Sequence, residues 1–170
     1  CEASRLDPAQ LNRLARRYEL YFTYHVEENC DPFTFNPAVR RAWVSTLRQS
    51  MMLAVALKMP IVNMHFPKGV YITLPGRRTY LYERYGEVFE HSLSELRTLA
   101  EETLQGSGTR LVIENTEGWA EYEQRAIATL LESPFIGLTL DIGHSHGVNN
   151  VDEPFFRLHD DRLIHVHGHD

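Results

Sequence analysis

Five side chains able to bind metal ions recur at regular positions along the chain. They are His25, His65, Glu114, Asp141 and His167. Successive members lie 26 to 49 residues apart, about the length of one β-strand followed by one α-helix. Imidazole and carboxylate groups are the usual protein ligands of zinc, manganese and cobalt ions. The spacing therefore predicts a metal site to which successive strand–helix units each contribute one ligand.

Each of these residues lies at, or within two residues of, the end of a predicted strand. Runs rich in aromatic and β-branched residues predict strands at 20–26, 61–66, 111–114, 136–141 and 163–167. Apolar residues at three- and four-residue spacing predict helices at 8–17, 37–58, 81–104, 119–132 and 152–158. Residues 67–79 are predicted to be a loop. Strict βα alternation predicts a parallel sheet, in which all five side chains emerge at one edge.

Two α/β architectures share this alternation of elements. They are an open doubly wound sheet and part of an eight-fold (β/α) TIM barrel. No glycine-rich phosphate turn follows a predicted strand, which argues against dinucleotide binding. A complete barrel takes about 250 residues, so the 170 residues here would supply five to six of its eight units. No linker divides the chain, and we predict one partial-barrel domain over residues 1–170.

The composition excludes several classes of protein. With 17 basic and 23 acidic residues the formal net charge is −6, which disfavours nucleic-acid partners. The longest apolar run, residues 51–57, is far too short to span a membrane, so no membrane partner is expected. The first twenty residues lack a signal-peptide core. The two cysteines, Cys1 and Cys30, predict no disulfide framework and hence a cytoplasmic protein.

Simpler explanations exist for each metal-type residue taken alone. A strand-end histidine is usually a satisfied polar group, and a strand-end carboxylate often caps the next helix. Five such residues at five successive strand ends are improbable by chance. His144 follows Asp141 by three residues and can join the same site. The remaining histidines are predicted to have no functional role, and His165 is expected to face away from His167. These are His91, His146, His159, His165 and His169.

Four segments carry a family resemblance. They are VNMHFPKG (62–69), LVIENTEG (111–118), LTLDIGHSHG (138–147) and LIHVHGHD (163–170). Together they resemble the xylose-isomerase-like TIM-barrel superfamily. This superfamily includes sugar and sugar-phosphate isomerases and epimerases, inosose dehydratases, and the endonuclease IV type of apurinic-site nuclease. The resemblance runs from YHVEEN (24–29) to the end of the chain and implies roughly the second to sixth βα units of such a barrel.

The resemblance implies roles for particular residues. Glu114, Asp141 and His167 match the family's metal ligands. His144 matches a histidine that contacts substrate or binds another metal, according to branch. His25 and His65 match zinc ligands of the endonuclease IV branch and line the site in many isomerase-like members. A further metal-binding carboxylate of the family comes from a final strand that lies outside these 170 residues.

The implied activity is that of a sugar or sugar-phosphate isomerase or epimerase dependent on Mn, Zn, Mg or Co. Glu114 would move a proton through an enediolate, and His144 would hydrogen-bond a sugar oxygen. The alternative is a zinc-dependent apurinic/apyrimidinic endonuclease, under which DNA would be the partner. Two glycine-rich loops expected of that branch are absent after His65 and Glu114. A non-catalytic metal-binding barrel fragment is a third possibility, and a homo-oligomer is compatible with all three.

Loop residues at the predicted catalytic edge suggest how a substrate would be held. Lys68, Arg77 and Arg78 could clasp a phosphate group, although such residues are commonly just solvated. Phe33, Phe35 and Trp119 could form an apolar wall against a sugar ring. They could equally cover the mouth of the barrel for packing reasons.

Overall fold

The computed structural model describes residues 6–168, so His169, predicted to have no role, lies outside the described residues. The strands are β1 (Tyr24–His25), β2 (Ile61–His65), β3 (Tyr71–Leu74), β4 (Arg77–Tyr80), β5 (Arg110–Glu114), β6 (Ile136–Asp141) and β7 (Leu163–His167). Five of them form a parallel sheet in the order β1-β2-β5-β6-β7. This order follows the chain without the reversal of a doubly wound sheet, so the sheet is an arc of a barrel.

Seven α-helices accompany this sheet among residues 6–168. They are α1 (Pro8–Tyr18), α2 (Pro37–Ala56), α3 (Leu81–Arg84), α4 (Gly86–Leu104), α5 (Glu121–Leu130), α6 (Ile142–Gly147) and α7 (Glu153–Leu158). The longest begins at Pro37 because Asn36 caps it, its side-chain oxygen accepting the Ala38 N–H at 3.0 Å. Helices α2, α4 and α5 each connect consecutive strands of the sheet, as the βα alternation predicted.

The hydrophobic core lies between these helices and the sheet. Apolar side chains along one face of each crossover helix are fully buried, for example Leu47 and Met51 on α2 and Leu96 on α4. The central strands are buried on both faces, as strands of a parallel sheet covered by helices are. This packing holds the strand ends in place and therefore fixes the residues that they carry.

The first predicted strand is much shorter than expected. Residues 20–26 were predicted as a strand, but only Tyr24 and His25 pair with β2. Tyr21 is 78% exposed, so apolar composition here does not reflect burial. A strand exists only where a neighbour accepts its backbone hydrogen bonds, and along the described chain β1 pairs with β2 alone.

The predicted loop 67–79 contains an antiparallel hairpin, β3–β4. Its turn is Pro75-Gly76, and Gly76 adopts a φ of +86°. Proline followed by glycine is a turn signal, so the sequence contained a signal for this turn. The predicted helix 81–104 is likewise divided at Tyr85 into α3 and α4. A further short helix, α6, follows β6 directly and was not predicted.

Among residues 6–168, no helix combines the length and apolar character needed to cross a membrane.

Candidate functional site

The strand ends bring all five predicted metal-type residues to one edge of the sheet. His65 on β2 lies directly opposite Glu114 on β5, and Asp141 on β6 lies opposite His167 on β7. His25 on β1 lies opposite Asn63 on β2. Because the strands are parallel, these positions share the carboxyl-terminal edge, where barrel enzymes build their sites. The convergence expected from the sequence spacing is confirmed.

Glu114 lies at the centre of this group and is 1% exposed. Its Oε2 is 3.2 Å from His25 Nε2 and 3.5 Å from His65 Nε2. Its Oε1 is 2.8 Å from His167 Nδ1. Asp141 Oδ2 lies 3.8 Å from the same His167 nitrogen. The two oxygens of one buried carboxylate thus face two different sets of ligands.

The surroundings of Glu114 keep its carboxylate ionised. Burial alone would raise the pKa of Glu114, but hydrogen bonds from His25, His65, His167 and Asn63 together hold it well below its usual range. The hydrogen bond to Glu114 in turn raises the pKa of His25, against the opposing effect of burial. The neighbouring imidazoles and the Asn63 amide thus supply the hydrogen bonds that a buried carboxylate requires.

The chemistry of these groups fits a divalent metal ion. Two overlapping sets each place their ligand atoms within 4.8 Å of one another: His25, His65 and Glu114, and Glu114, Asp141 and His167. His25 Nδ1 lies 2.7 Å from the Val26 carbonyl oxygen, so this nitrogen donates to the backbone and directs Nε2 towards Glu114. Histidine ligands of metals are commonly oriented by such a hydrogen bond.

Two asparagines that the sequence analysis did not single out complete the support of the site. Asn63, 1% exposed, donates a hydrogen bond from its side-chain amide to Glu114 Oε2. Asn115 bonds both the N–H and the C=O of Asp141. Asn63 lies two residues before His65 on the same face of β2, and Asn115 directly follows Glu114. Their positions next to predicted ligands were the available signal.

His165 faces the site, which corrects the expectation that it points away. Residues two apart in a strand share a face, and the His165 and His167 rings lie 4.9 Å apart, edge to face. Burial lowers the pKa of His165, and its neighbour His167 adds to this effect. His165 therefore belongs to the interior wall directly below the predicted ligand His167.

His144 lies beside the cluster at the start of α6. Its backbone N–H donates to Asp141 Oδ1 at 2.7 Å, so Asp141 caps this helix while its Oδ2 faces His167. The His144 ring is 6.0 Å from the His65 ring, edge to face. The cap thus fixes where the backbone of His144 enters the site.

Two of the three cationic side chains predicted to hold a phosphate, Lys68 and Arg78, have partners within the protein. Lys68 Nζ lies 3.3 Å from Glu117 Oε2, and Lys68 also lowers the pKa values of the buried carboxyl groups of Glu123 and Asp152. Arg78 lies over the Tyr71 ring at 4.9 Å, and Arg77 is exposed on the hairpin.

Two of the three aromatic residues predicted to flank a sugar ring are buried in packing. Phe33 is fully buried against Phe66 and Phe89. Trp119, 4% exposed, packs on Phe155 and Phe156 of α7. Phe35 is half-buried and contacts Tyr82 and Tyr85. Phe33 and Trp119 are therefore packed among other aromatic side chains of the core.

Comparison with known proteins agrees with this geometry. The family described as "Xylose isomerase-like TIM barrel" matches residues 2–170. The chain belongs to this family. An uncharacterized protein of Methanocaldococcus jannaschii, MJ1311, is 27% identical over 170 residues, which cover 94% of this chain and 55% of that protein. The chain therefore spans about half the length of this relative.

Solved structures of the same fold include sugar epimerases. A D-tagatose 3-epimerase-like protein is similar with a TM-score of 0.72 and 25% identity, covering 99% of this chain and 63% of that one. A D-allulose 3-epimerase from Methylomonas sp. is similar with a TM-score of 0.74 and 17% identity, covering 98% of this chain and 58% of that one. The second likeness shows the fold alone. The partial barrel expected from chain length is confirmed.

Proposed function

We propose that the protein is part of a divalent-metal-dependent sugar isomerase or epimerase. The observation that supports this most directly is Glu114, buried and ionised, with one oxygen facing His167 and Asp141 at the catalytic edge. The 25% identity to a D-tagatose 3-epimerase-like protein supports a ketose as substrate.

Epimerisation beside a carbonyl requires one proton to leave a carbon and one to return on its opposite face. Glu114, Asp141 and His167 would hold the metal ion, which supplies Lewis-acid polarisation of the sugar's carbonyl and hydroxyl oxygens. Glu114 is the proposed proton-transfer group on one face, because its neighbours keep it ionised and hold it in place, and the last-strand carboxylate implied by the family resemblance would serve the opposite face. His144, fixed by the helix cap, would donate a hydrogen bond to a sugar oxygen.

Replacing Glu114 tests this proposal. We expect Glu114→Gln to lower the epimerisation rate of a ketohexose by about 10²- to 10⁴-fold, since it removes the proton-transfer group. The measurement is chromatographic separation of the two epimers. In D₂O the wild type should incorporate deuterium at the epimerised carbon, because the returning proton comes from solvent.

A matched control is Glu117→Gln, which changes an exposed carboxylate three residues further along the chain. Its rate should stay within about twofold of the wild type, because Glu117 contacts Lys68 and none of the metal-type residues. Full activity in Glu114→Gln, or epimerisation without deuterium uptake, would overturn the proposal.

A second candidate function is zinc-dependent cleavage of DNA at apurinic or apyrimidinic sites. The observation that favours it is the additional set His25, His65 and Glu114, which shares the Glu114 carboxylate with the first set. Enzymes that cleave phosphodiesters commonly use adjacent metal ions bridged in this way. Nicking of an abasic-site duplex that depends on Glu114 would favour this function over epimerisation.

A further inference from the structure

The side-chain amide of Asn115 forms hydrogen bonds with the backbone of Asp141, as the backbone of a neighbouring strand would. Asp141 N–H donates to Asn115 Oδ1 at 2.8 Å, and Asn115 Nδ2 donates to the Asp141 carbonyl oxygen at 3.2 Å. Asn115 is fully buried. In this geometry the side-chain amide takes the place of a peptide group and satisfies both backbone polar atoms of Asp141.

This pairing begins where the β5–β6 ladder stops. The last directly paired residues are Glu114 and Thr139, so Asn115 lies one residue beyond the end of β5. Its amide reaches Asp141, two residues beyond Thr139 on β6. The residue that follows one proposed metal ligand is therefore hydrogen-bonded to the backbone of another. No backbone pairing between β5 and β6 extends that far along the described ladder.

Asp141 is consequently held from both sides. Asn115 fixes its backbone, and the His144 N–H holds its Oδ1 at 2.7 Å. Its Oδ2 faces His167 Nδ1. With the backbone and one oxygen fixed, the position of the other oxygen relative to Glu114 is determined before any ion arrives. A ligand set arranged in advance loses little conformational freedom when it binds.

We propose that Asn115 is a positioning residue that sets the separation of the Glu114 and Asp141 carboxylates for divalent-metal binding. This inference rests on the metal site of the proposed function and does not depend on the identity of the sugar. Loss of the Asn115 amide removes one hydrogen bond from the N–H and one from the C=O of the buried Asp141. The end of β6 then shifts to reach other partners and carries the Asp141 carboxylate away from Glu114.

The test is Co²⁺ binding, measured in the absence of sugar by calorimetry and by the visible absorption spectrum of the bound ion. Asn115→Leu keeps the approximate shape of the side chain and removes both hydrogen bonds. We expect Co²⁺ binding about ten- to hundredfold weaker than in the wild type, with an altered spectrum. Circular dichroism confirms that the variant is folded.

Ser133→Ala is the matched control, because Ser133 is equally buried and bonds the Phe135 N–H at the opposite end of the same strand. It should lower the melting temperature without changing the Co²⁺ affinity. If Asn115→Leu does not fold, Asn115→Asp keeps the shape and one of the two hydrogen bonds. This variant should still bind Co²⁺ at least about threefold more weakly, despite its added negative charge.

Co²⁺ affinity within twofold of the wild type in folded Asn115→Leu, or in Asn115→Asp where Leu does not fold, would overturn the inference. A failure of the proposed sugar epimerase function can be told apart from a failure of the inference about Asn115. A wild type that binds Co²⁺ through Glu114 but epimerises no ketohexose would remove the sugar assignment and leave the role of Asn115 intact. A wild type whose Co²⁺ binding is unaffected by Glu114→Gln would overturn both.

Discussion

At the scale of the residue, Glu123 is a carboxylate kept in the protein interior by its place in a helix. It is 1% exposed, and its Oε2 accepts the Ala120 N–H at 2.8 Å at the start of α5. Burial raises the pKa of Glu123 to about 7, and the nearby charge of Asp152 adds to this, while the Ala120 N–H and Lys68 oppose it. The group therefore takes up a proton near neutral pH.

This raised pKa predicts a pH-dependent stability. Between about pH 4.5 and 7 folded Glu123 keeps a proton that the unfolded chain releases, so the free energy of unfolding falls as pH rises. Glu123→Gln keeps the oxygen that caps α5 and removes the charge. The variant should gain about 2 kcal/mol relative to the wild type between pH 5 and pH 8, measured by urea unfolding.

The neighbouring variant Glu121→Gln is the control, because the Glu121 side chain is 95% exposed. Its stability relative to the wild type should not change with pH. A wild type and a Glu123→Gln variant with parallel pH profiles would show that Glu123 titrates normally.

The sequence identified residues whose side chains commonly bind metal ions, and it missed residues whose role depends on their hydrogen-bond partners. The five metal-type residues were identified because five such side chains at five successive strand ends are improbable by chance. Asn63 and Asn115 were missed because asparagine reads first as a turn residue, and its role here depends on contacts between strands. The expectation that His165 faces away from His167 was wrong, because residues two apart in a strand lie on the same face.

At the scale of the element, the β3–β4 hairpin depends on two glycines with different surroundings. Gly69 and Gly76 have φ values of +72° and +86°, a region that disfavours other residues. A Cβ on Gly76 would meet nothing within 4 Å. A Cβ on Gly69 would overlap the Tyr82 ring, which is itself held by a 2.6 Å hydrogen bond to Asp31.

These surroundings predict unequal costs for the same substitution. Gly76→Ala should lower the free energy of unfolding by about 1 kcal/mol, from backbone strain alone. Gly69→Ala adds the overlap with Tyr82 and should cost about 2 to 4 kcal/mol. Thermal or urea unfolding of the two variants side by side measures the difference. Equal losses would show that Tyr82 moves aside freely.

Helices and strands with a regular spacing of apolar residues were predicted well. Those whose bounds depend on pairing with residues far away in the sequence were not. Strand β6 and helix α2 have nearly the predicted bounds because burial, spacing and caps all agree. Strand β1 is shorter than its composition suggests because its length is set by pairing with β2. The division of the helix at Tyr85 has no signal in the apolar spacing.

At the scale of the whole molecule, the number of bound metal ions separates the two candidate functions. An epimerase would use Glu114, Asp141 and His167 and hold about one ion per chain, whereas the nuclease would hold two or three. The double variant His25→Ala/His65→Ala removes ligands of the additional set only. The epimerase proposal expects its metal content, measured by elemental analysis, to match that of the wild type.

Loss of an ion from this double variant, accompanied by Glu114-dependent nicking of abasic DNA in the wild type, would contradict the epimerase proposal. Asp141→Ala serves as the positive control, since it removes a ligand common to both functions and should reduce the metal content in either case.

Each of the five metal-type residues arrives on a different strand, and a helical crossover separates every neighbouring pair. Glu114 meets His25 across 89 residues of chain and His167 across 53. The set Glu114, Asp141 and His167 is therefore absent from any partly assembled form in which β5, β6 or β7 has detached. Metal occupancy therefore reports whether these three strands are assembled, because an ion bound by all three side chains holds β5, β6 and β7 together and disfavours local opening among them.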